Sequence, residues 1–397
     1  MRKNYKGFPN EAFTEDEIAA GIHHAVRDGY FPGDKEQISK EAVKQQLYFT
    51  TFKEATEWAK NNPGKAIVRS PNGRGFVEKD DSDSNIITKI SIYGDNITTC
   101  NYMLNNAIAR NVKTIYADNC SEEILRNIFK KFIHLERLQI QSYVSDDLPG
   151  EISNLTKLKH LSIINWAAIK IPEKICRVKN LEELFIINQP PFDNDIILPK
   201  TIHTLTKLRK LELDPSQAIS YIPYSIGKLE NLEDLSIFNC DIIPTEIRNL
   251  SNLKKMTITS RNGNIPSDIY NLSNLENLSL MHLNYLSQDI VKLRNLKVLD
   301  LTYARFAELP KEIYTLHDIE ELYLAGSNLV TLPIDVLKLK MLKLLNLDYC
   351  CELLSIPYEL FDIPNIELHL SGNYKLAENM LDVDIMEYIQ ADFLYDI

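Results

Sequence analysis

Apolar residues recur along this chain in a six-residue frame, L-x-x-L-x-L, and the frame itself recurs. Its middle apolar residue falls at Ile90, Ile115, Leu138, Leu161, Leu184, Leu211, Leu235, Met256, Leu278, Leu299, Leu322, Leu345 and Leu368. The thirteen markers are separated by 21 to 27 residues, most often 23. Alternation inside the frame is that of a β-strand, which sends the leucines to one face and the x residues to the other. Upstream of most frames lies a second pattern, as in Leu309-Pro-Lys-Glu-Ile313-Tyr-Thr-Leu316, Leu332-Pro-Ile-Asp-Val336-Leu-Lys-Leu339 and Ile243-Pro-Thr-Glu-Ile247-Arg-Asn-Leu250. A proline sets φ and needs no donor in the first turn of a short helix, and the apolar residues three apart behind it face inward. Each unit is therefore predicted to be one strand and one or two helical turns.

A single such unit cannot bury its own leucines. Stacking thirteen of them does, which predicts a curved parallel sheet lining the inside of a solenoid, with short helices outside. Strands roughly 4.8 Å apart make an arc on the order of 60 Å. The combined pattern, L-P-x-x-I-x-x-L-x-x-L-x-x-L-x-L-x-x-C/N, resembles the 23-residue class of the leucine-rich-repeat family over residues 86–373. Similar units occur in Ras-binding scaffolds, in plant immune receptors and in bacterial effectors injected into host cells. The resemblance implies an α/β solenoid acting as a protein-protein interaction module or adaptor, with a partner on the concave face. Its more specific versions are an effector acting in a host cell and, as the alternative, the substrate-recognition part of a ubiquitin-ligase-like effector enzyme. The position three residues after the last strand leucine departs from the family. Cys120, Cys240, Cys350 and Asn373 conform, whereas Tyr143, Trp166, Gln189, Ser216, Arg261, Leu283 and Ala304 do not, which predicts a broken polar ladder and irregularity in the middle. The final unit also slips, with Asn365 at the first leucine position and Ile366 beside it.

The two ends read differently. Residues 1–80 predict a small α/β module of unassigned role. Thr14-Glu-Asp-Glu17 is a capping box opening a helix with Ile18, Ile22 and Val26 on one face, a second helix runs from about Thr51 to Asn61, and Ser70-Pro-Asn-Gly73 joins Ala66–Arg69 to Gly75–Glu78 as a hairpin. Residues 81–85 form the linker. At the other end Leu381, Ile385, Tyr388 and Ile389 lie at helical spacing within residues 374–397, a stripe suited to covering the open end of the solenoid.

Composition narrows the partners. The net charge is −11, and residues 376–397 hold six acidic groups and no basic one. Without a Lys/Arg cluster there is little counterion release to gain from phosphates, so neither nucleic acid nor membrane is expected, and a protein, with a basic surface, is. The basic residues near Met1 have no apolar stretch behind them, and the six cysteines form no CxxC pair. Both predict a cytoplasmic setting, and the resemblance to bacterial effectors implies, as a variant of it, delivery into a host cell without a cleaved leader.

Signals for chemistry are sparse, and no enzyme activity, cofactor or metal is expected. His23-His24 with Asp28 point to different faces of a helix, Asn72-Gly73-Arg74-Gly75 lacks the remainder of a phosphate loop, and Cys350 of the Cys350-Cys351 pair falls on the buried ladder position. The outward positions of the strands remain. The register predicts an exposed apolar cluster of Ile164, Phe185, Ile187, Phe238 and Met281, with Gln189–Asp195 as a loop lip beside it. Farther along it predicts an aromatic and acidic strip of Asp300, Tyr303, Glu321, Tyr323, Asp348 and Tyr349.

Overall fold

The computed structural model describes residues 47–49, 52–61, 66–70, 73–78, 88–94, 110–142, 147–164, 171–187, 197–213, 219, 221–240, 242–260 and 262–379. Among them sixteen strands form one sheet in chain order. The first four are β1 (Leu47–Phe49), β2 (Ala66–Ser70), β3 (Gly73–Glu78) and β4 (Lys89–Tyr93). Then follow β5 (Thr114–Asp118), β6 (Arg137–Gln141), β7 (His160–Ile164), β8 (Glu183–Ile187), β9 (Lys210–Leu213) and β10 (Asp234–Cys240). The remainder are β11 (Lys255–Ser260), β12 (Asn277–Ser279), β13 (Val298–Asp300), β14 (Glu321–Tyr323), β15 (Leu344–Asn346) and β16 (Glu367–His369).

From β4 to β16 every pairing is parallel, and each marker residue pairs with the next, from Ile90↔Ile115 to Leu345↔Leu368. The markers share one continuous apolar interior with the second leucines of each frame and the inward isoleucines of the outer helices. This is the physical basis of the solenoid, because a one-residue slip would turn every leucine outward.

The outer helices are mostly single 3₁₀ segments of three to five residues. The proline of the L-P-x-x-I pattern stands just before the helix rather than inside it. At eight such sites its ψ is extended, between 131° and 159°. Its carbonyl accepts the first helical bond, as Pro310 O does from Ile313 N at 3.1 Å. A 3₁₀ helix rises about 2 Å per residue, so five residues cover more of the short return path than an α-turn would. Where proline is missing, the Ser287 hydroxyl accepts from Asp289 N at 3.2 Å. The unit after β5 carries a true α-helix, Glu122–Lys131, capped by Ser121.

The predicted hairpin is present, with Ser70 opposite Gly73. β3 then pairs antiparallel with β4, so the hairpin continues the sheet of the repeats at its first strand. The second predicted helix is Phe52–Asn61. The helix opened by Thr14, the His23-His24-Asp28 group, the linker and the Leu381–Ile389 stripe lie outside the described residues. At the far end Asn373 closes the last repeat by donating to Leu347 O and Leu370 O, both at 2.8 Å, and the helix Tyr374–Asn379 follows with Leu376 buried. In the slipped unit Asn365 takes a left-handed φ of 59° while Ile366 packs against the core.

Candidate functional site on the inner face

Each strand presents outward residues at marker −1, +1 and +3, and the two halves of the inner face treat them differently. On β7 to β10 the expected exposed cluster is buried: Ile164 is 1% exposed, Phe185 0%, Ile187 2% and Phe238 5%. This corrects the expectation that solvent faces them. Ile164 and Ile187 are paired across β7 and β8 and form their own small cluster apart from the main core. The register therefore placed them on the right face, and that face is dry here. The Lys210 ammonium lies 5.1 Å from the centroid of the Phe185 ring, and Ser91, Gln139 and Ser162 are buried on the same side. Loop residues 189–195, expected beside the cluster, fall outside the described residues.

Charged side chains on this buried half are paired. His160 Nδ1 lies 2.7 Å from Glu183 Oε2, and Lys210 Nζ lies 3.4 Å from Glu212 and 3.5 Å from Asp234. Burial would raise the Glu183 pKa, but His160, with Lys210 and Arg137, holds it below the usual glutamate value. Burial would likewise lower Lys210, but Asp234 and Glu212 together hold it above the ordinary lysine value. Pairing of this kind is what makes a charge tolerable out of water.

On β13 to β16 the outward residues are half-buried rather than buried, with Glu367 exposed, and here the residues of the expected strip lie on one face. The twelve outward positions are Val298, Asp300, Thr302, Glu321, Tyr323, Ala325, Leu344, Asn346, Asp348, Glu367, His369 and Ser371. Four are carboxylates and none is Lys or Arg, so these positions carry net negative charge, while Arg305 acts on His282 at the lip and, after burial, lowers its pKa. The carboxylates are held in place. Asp300 accepts from the Ser279 hydroxyl at 2.8 Å and from Thr302 N and Oγ1 at 2.9 and 2.6 Å. The Tyr323 hydroxyl donates to Glu321 at 2.8 Å, and burial followed by that carboxylate pushes the phenol pKa up. Asp348 accepts from Ser371 N at 2.7 Å, and His369 sits 2.8 Å from Glu367 and 3.6 Å from Asp348. Met281, on the neighbouring unit, is half-buried.

In nine units the residue four past the marker takes a left-handed conformation: Gly94, Asn119, Ser142, Asn239, His282, Tyr303, Gly326, Tyr349 and Gly372 all have positive φ. Its N–H donates across to the next unit, as Tyr303 N does to Ala325 O at 2.8 Å and Gly326 N to Asp348 O at 2.7 Å. Tyr303 and Tyr349 carry this strained conformation while remaining 54% and 59% exposed. They form the lip of the acidic strip.

A second column went unread in the sequence although its signal was there. At marker −2 the charges alternate along eleven consecutive units: Lys113, Glu136, Lys159, Glu182, Arg209, Glu233, Lys254, Glu276, Lys297, Glu320 and Lys343. Neighbours pair, including Lys159–Glu182 at 3.0 Å, Arg209–Glu233 at 2.7 Å and Lys297–Glu276 at 2.7 Å. Beside it Asn231, Asn252, Asn274 and Asn295 each donate a side-chain amide to a carbonyl of the preceding unit at 2.7–2.9 Å. This edge satisfies its own charge and offers a partner little. Glu276→Lys, which sets a third cation between Lys254 and Lys297, is expected to lower the melting temperature more at low salt than at high salt, as exposed charges are screened. Equal losses in both would show that the column contributes nothing electrostatically.

The ladder position is buried wherever it is described. Cys350 donates to Leu324 O at 3.2 Å and meets Ser327 at 3.3 Å, and burial raises its thiol pKa, the reverse of a nucleophile. Ser327 is a further polar member. Leu283 and Ala304 substitute apolar packing for the polar bond. The expected irregularity is visible in β10, where the pairing with β11 shifts between Ile237 and Cys240. Among the described residues no group of three or more His, Cys, Asp or Glu side chains is arranged to hold a metal ion, and no helix is long and apolar enough to cross a membrane.

A family model described as a leucine-rich repeat region matches residues 197–299. Among solved structures, an internalin of Listeria monocytogenes is similar at 14% identity over 71% of this chain and 86% of that one, with a TM-score of 0.53. A leucine-rich-repeat protein of Leptospira interrogans is similar at 20% identity over 82% of this chain and 100% of that one, with a TM-score of 0.30. A plant peptide hormone receptor in complex with RGF2 is similar at 20% identity over 71% and 58%, with a TM-score of 0.42. No curated protein matches the sequence. At these identities the likeness is one of fold.

Proposed function

Because the chain is a leucine-rich-repeat solenoid, we propose that it is a non-catalytic interaction module that docks a basic segment of a protein partner on the inner face of β13 to β16. One observation carries this reading: four oriented carboxylates, half-buried or exposed, lie on adjacent strands of the inner face with two exposed tyrosines at their lip. Preset acceptors lose little freedom on binding, and exposed aromatic side chains supply contact area. Opposite charge also speeds encounter. The apolar residues of β7 to β10 then serve the fold.

Fluorescence anisotropy of a hexa-lysine peptide against the full chain tests the reading. Binding should weaken steeply with added salt, and the triple variant Asp300→Asn, Glu321→Gln, Asp348→Asn should lose about tenfold or more in affinity. A variant that binds as tightly as the parent would remove this surface from consideration. The ubiquitin-ligase alternative makes a separate prediction, conjugates formed by the full chain with activating and conjugating enzymes. We expect none, and their appearance would move the protein to the enzymes.

A further inference from the structure

His282, Tyr303, Gly326, Tyr349 and Gly372 follow one another, one per unit, in the left-handed column at the lip of the acidic strip. The His282 and Tyr303 rings are parallel, with 5.1 Å between centroids and 7° between planes, so the column advances one ring spacing per unit. Tyr303 lies over Gly326 and Tyr349 over Gly372: a Cβ on either glycine would stand 2.5 or 2.4 Å from the ring above it. The two tyrosines therefore occupy equivalent places two units apart. Gly326 has no side chain to set between them. Two strand spacings put the rings about 10 Å apart. A flat group in ordinary contact with one ring lies about 3.5–4 Å from it, so a gap of this width admits one flat layer and not two.

We propose that this gap receives the guanidinium of an arginine side chain from the partner. The inference rests on the acidic-face reading above and sharpens it from a basic segment to an arginine-bearing one. Three features select that group. It must be flat, to lie between two rings. It must be cationic, because Asp348 adjoins Tyr349, and Glu321 and Asp300 stand on the same side with no Lys or Arg among the outward positions of these strands. And it must shed water readily to stack, which a guanidinium does and a lysine ammonium does not. A neutral aromatic ring would satisfy the first requirement and forgo the second.

The test compares hexa-arginine with hexa-lysine peptides by fluorescence anisotropy against the full chain. Hexa-arginine should bind about tenfold more tightly. Tyr303→Leu and Tyr349→Leu should each weaken hexa-arginine binding more than hexa-lysine binding and so erase most of that preference, and Tyr303→Phe and Tyr349→Phe should keep it. Both tyrosines are exposed, and circular dichroism of each variant confirms the fold. Equal affinity for the two peptides, or a preference that survives the leucine variants, overturns this inference and leaves the acidic-face reading standing. Binding of neither peptide overturns both.

Discussion

Phe185→Ala is expected to destabilise the protein by about 3–5 kcal/mol, the range for removing a large buried aromatic side chain. The ring is 0% exposed, and its loss would open a cavity on the inner side of β8 and withdraw the surface over which the Lys210 ammonium sits. A solvent-facing binding anchor behaves otherwise, since truncating it changes stability by only about 0.5 kcal/mol. Urea denaturation followed by circular dichroism separates the two. Hydrogen exchange adds where the loss falls, which in a stacked array should be the units around β8 before the distant ones. An unfolding midpoint equal to the parent's would return Phe185 to the candidates for partner contact.

Gly227→Ala is expected to cost about 3 kcal/mol, at the upper end for overpacking, at a site where the usual rule has the opposite sign. In an unconstrained helix interior the change would stabilise by about 0.5–1 kcal/mol. Here Gly227 lies in the 3₁₀ segment Tyr224–Lys228, and a Cβ would stand 2.3 Å from the carbonyl oxygen of Glu246 in the next segment, Thr245–Asn249. The obstruction is backbone, which cannot swing aside as a side-chain tip can. Its φ is not left-handed, so space alone makes the residue necessary. Thermal unfolding measures the effect directly, and a variant as stable as the parent would mean that the two outer segments separate without cost.

Both predictions fall where the sequence was least informative. The position after the inward isoleucine holds Ser153, Cys176, His203, Arg248 and Tyr270 in other units, so Gly227 reads as one choice among many until the neighbouring segment is seen. Phe185 and Ile187 were assigned to the inner face by period-two alternation, and the pairing confirms that face. Alternation reports direction, however, and burial depends on what else reaches that side. The same alternation assigned Asp300, Glu321, Tyr323 and Asp348 to that face, and there the side chains are only half-buried. The alternating column from Lys113 to Lys343 was legible in principle, since it needs the sign of charge read at one fixed register position and nothing more.

The sequence by itself determined the solenoid, its thirteen parallel strands and their register, because a repeat of about 23 residues leaves its leucines no interior other than the one shared with neighbouring units. It also determined which side chains would face inward or outward. Tertiary structure alone decided which outward side chains meet water, how closely adjacent outer segments approach at Gly227, and that the Tyr303 and Tyr349 rings close against glycines one unit on. These are contacts between residues about twenty positions apart, and local periodicity carries no distance across such a span.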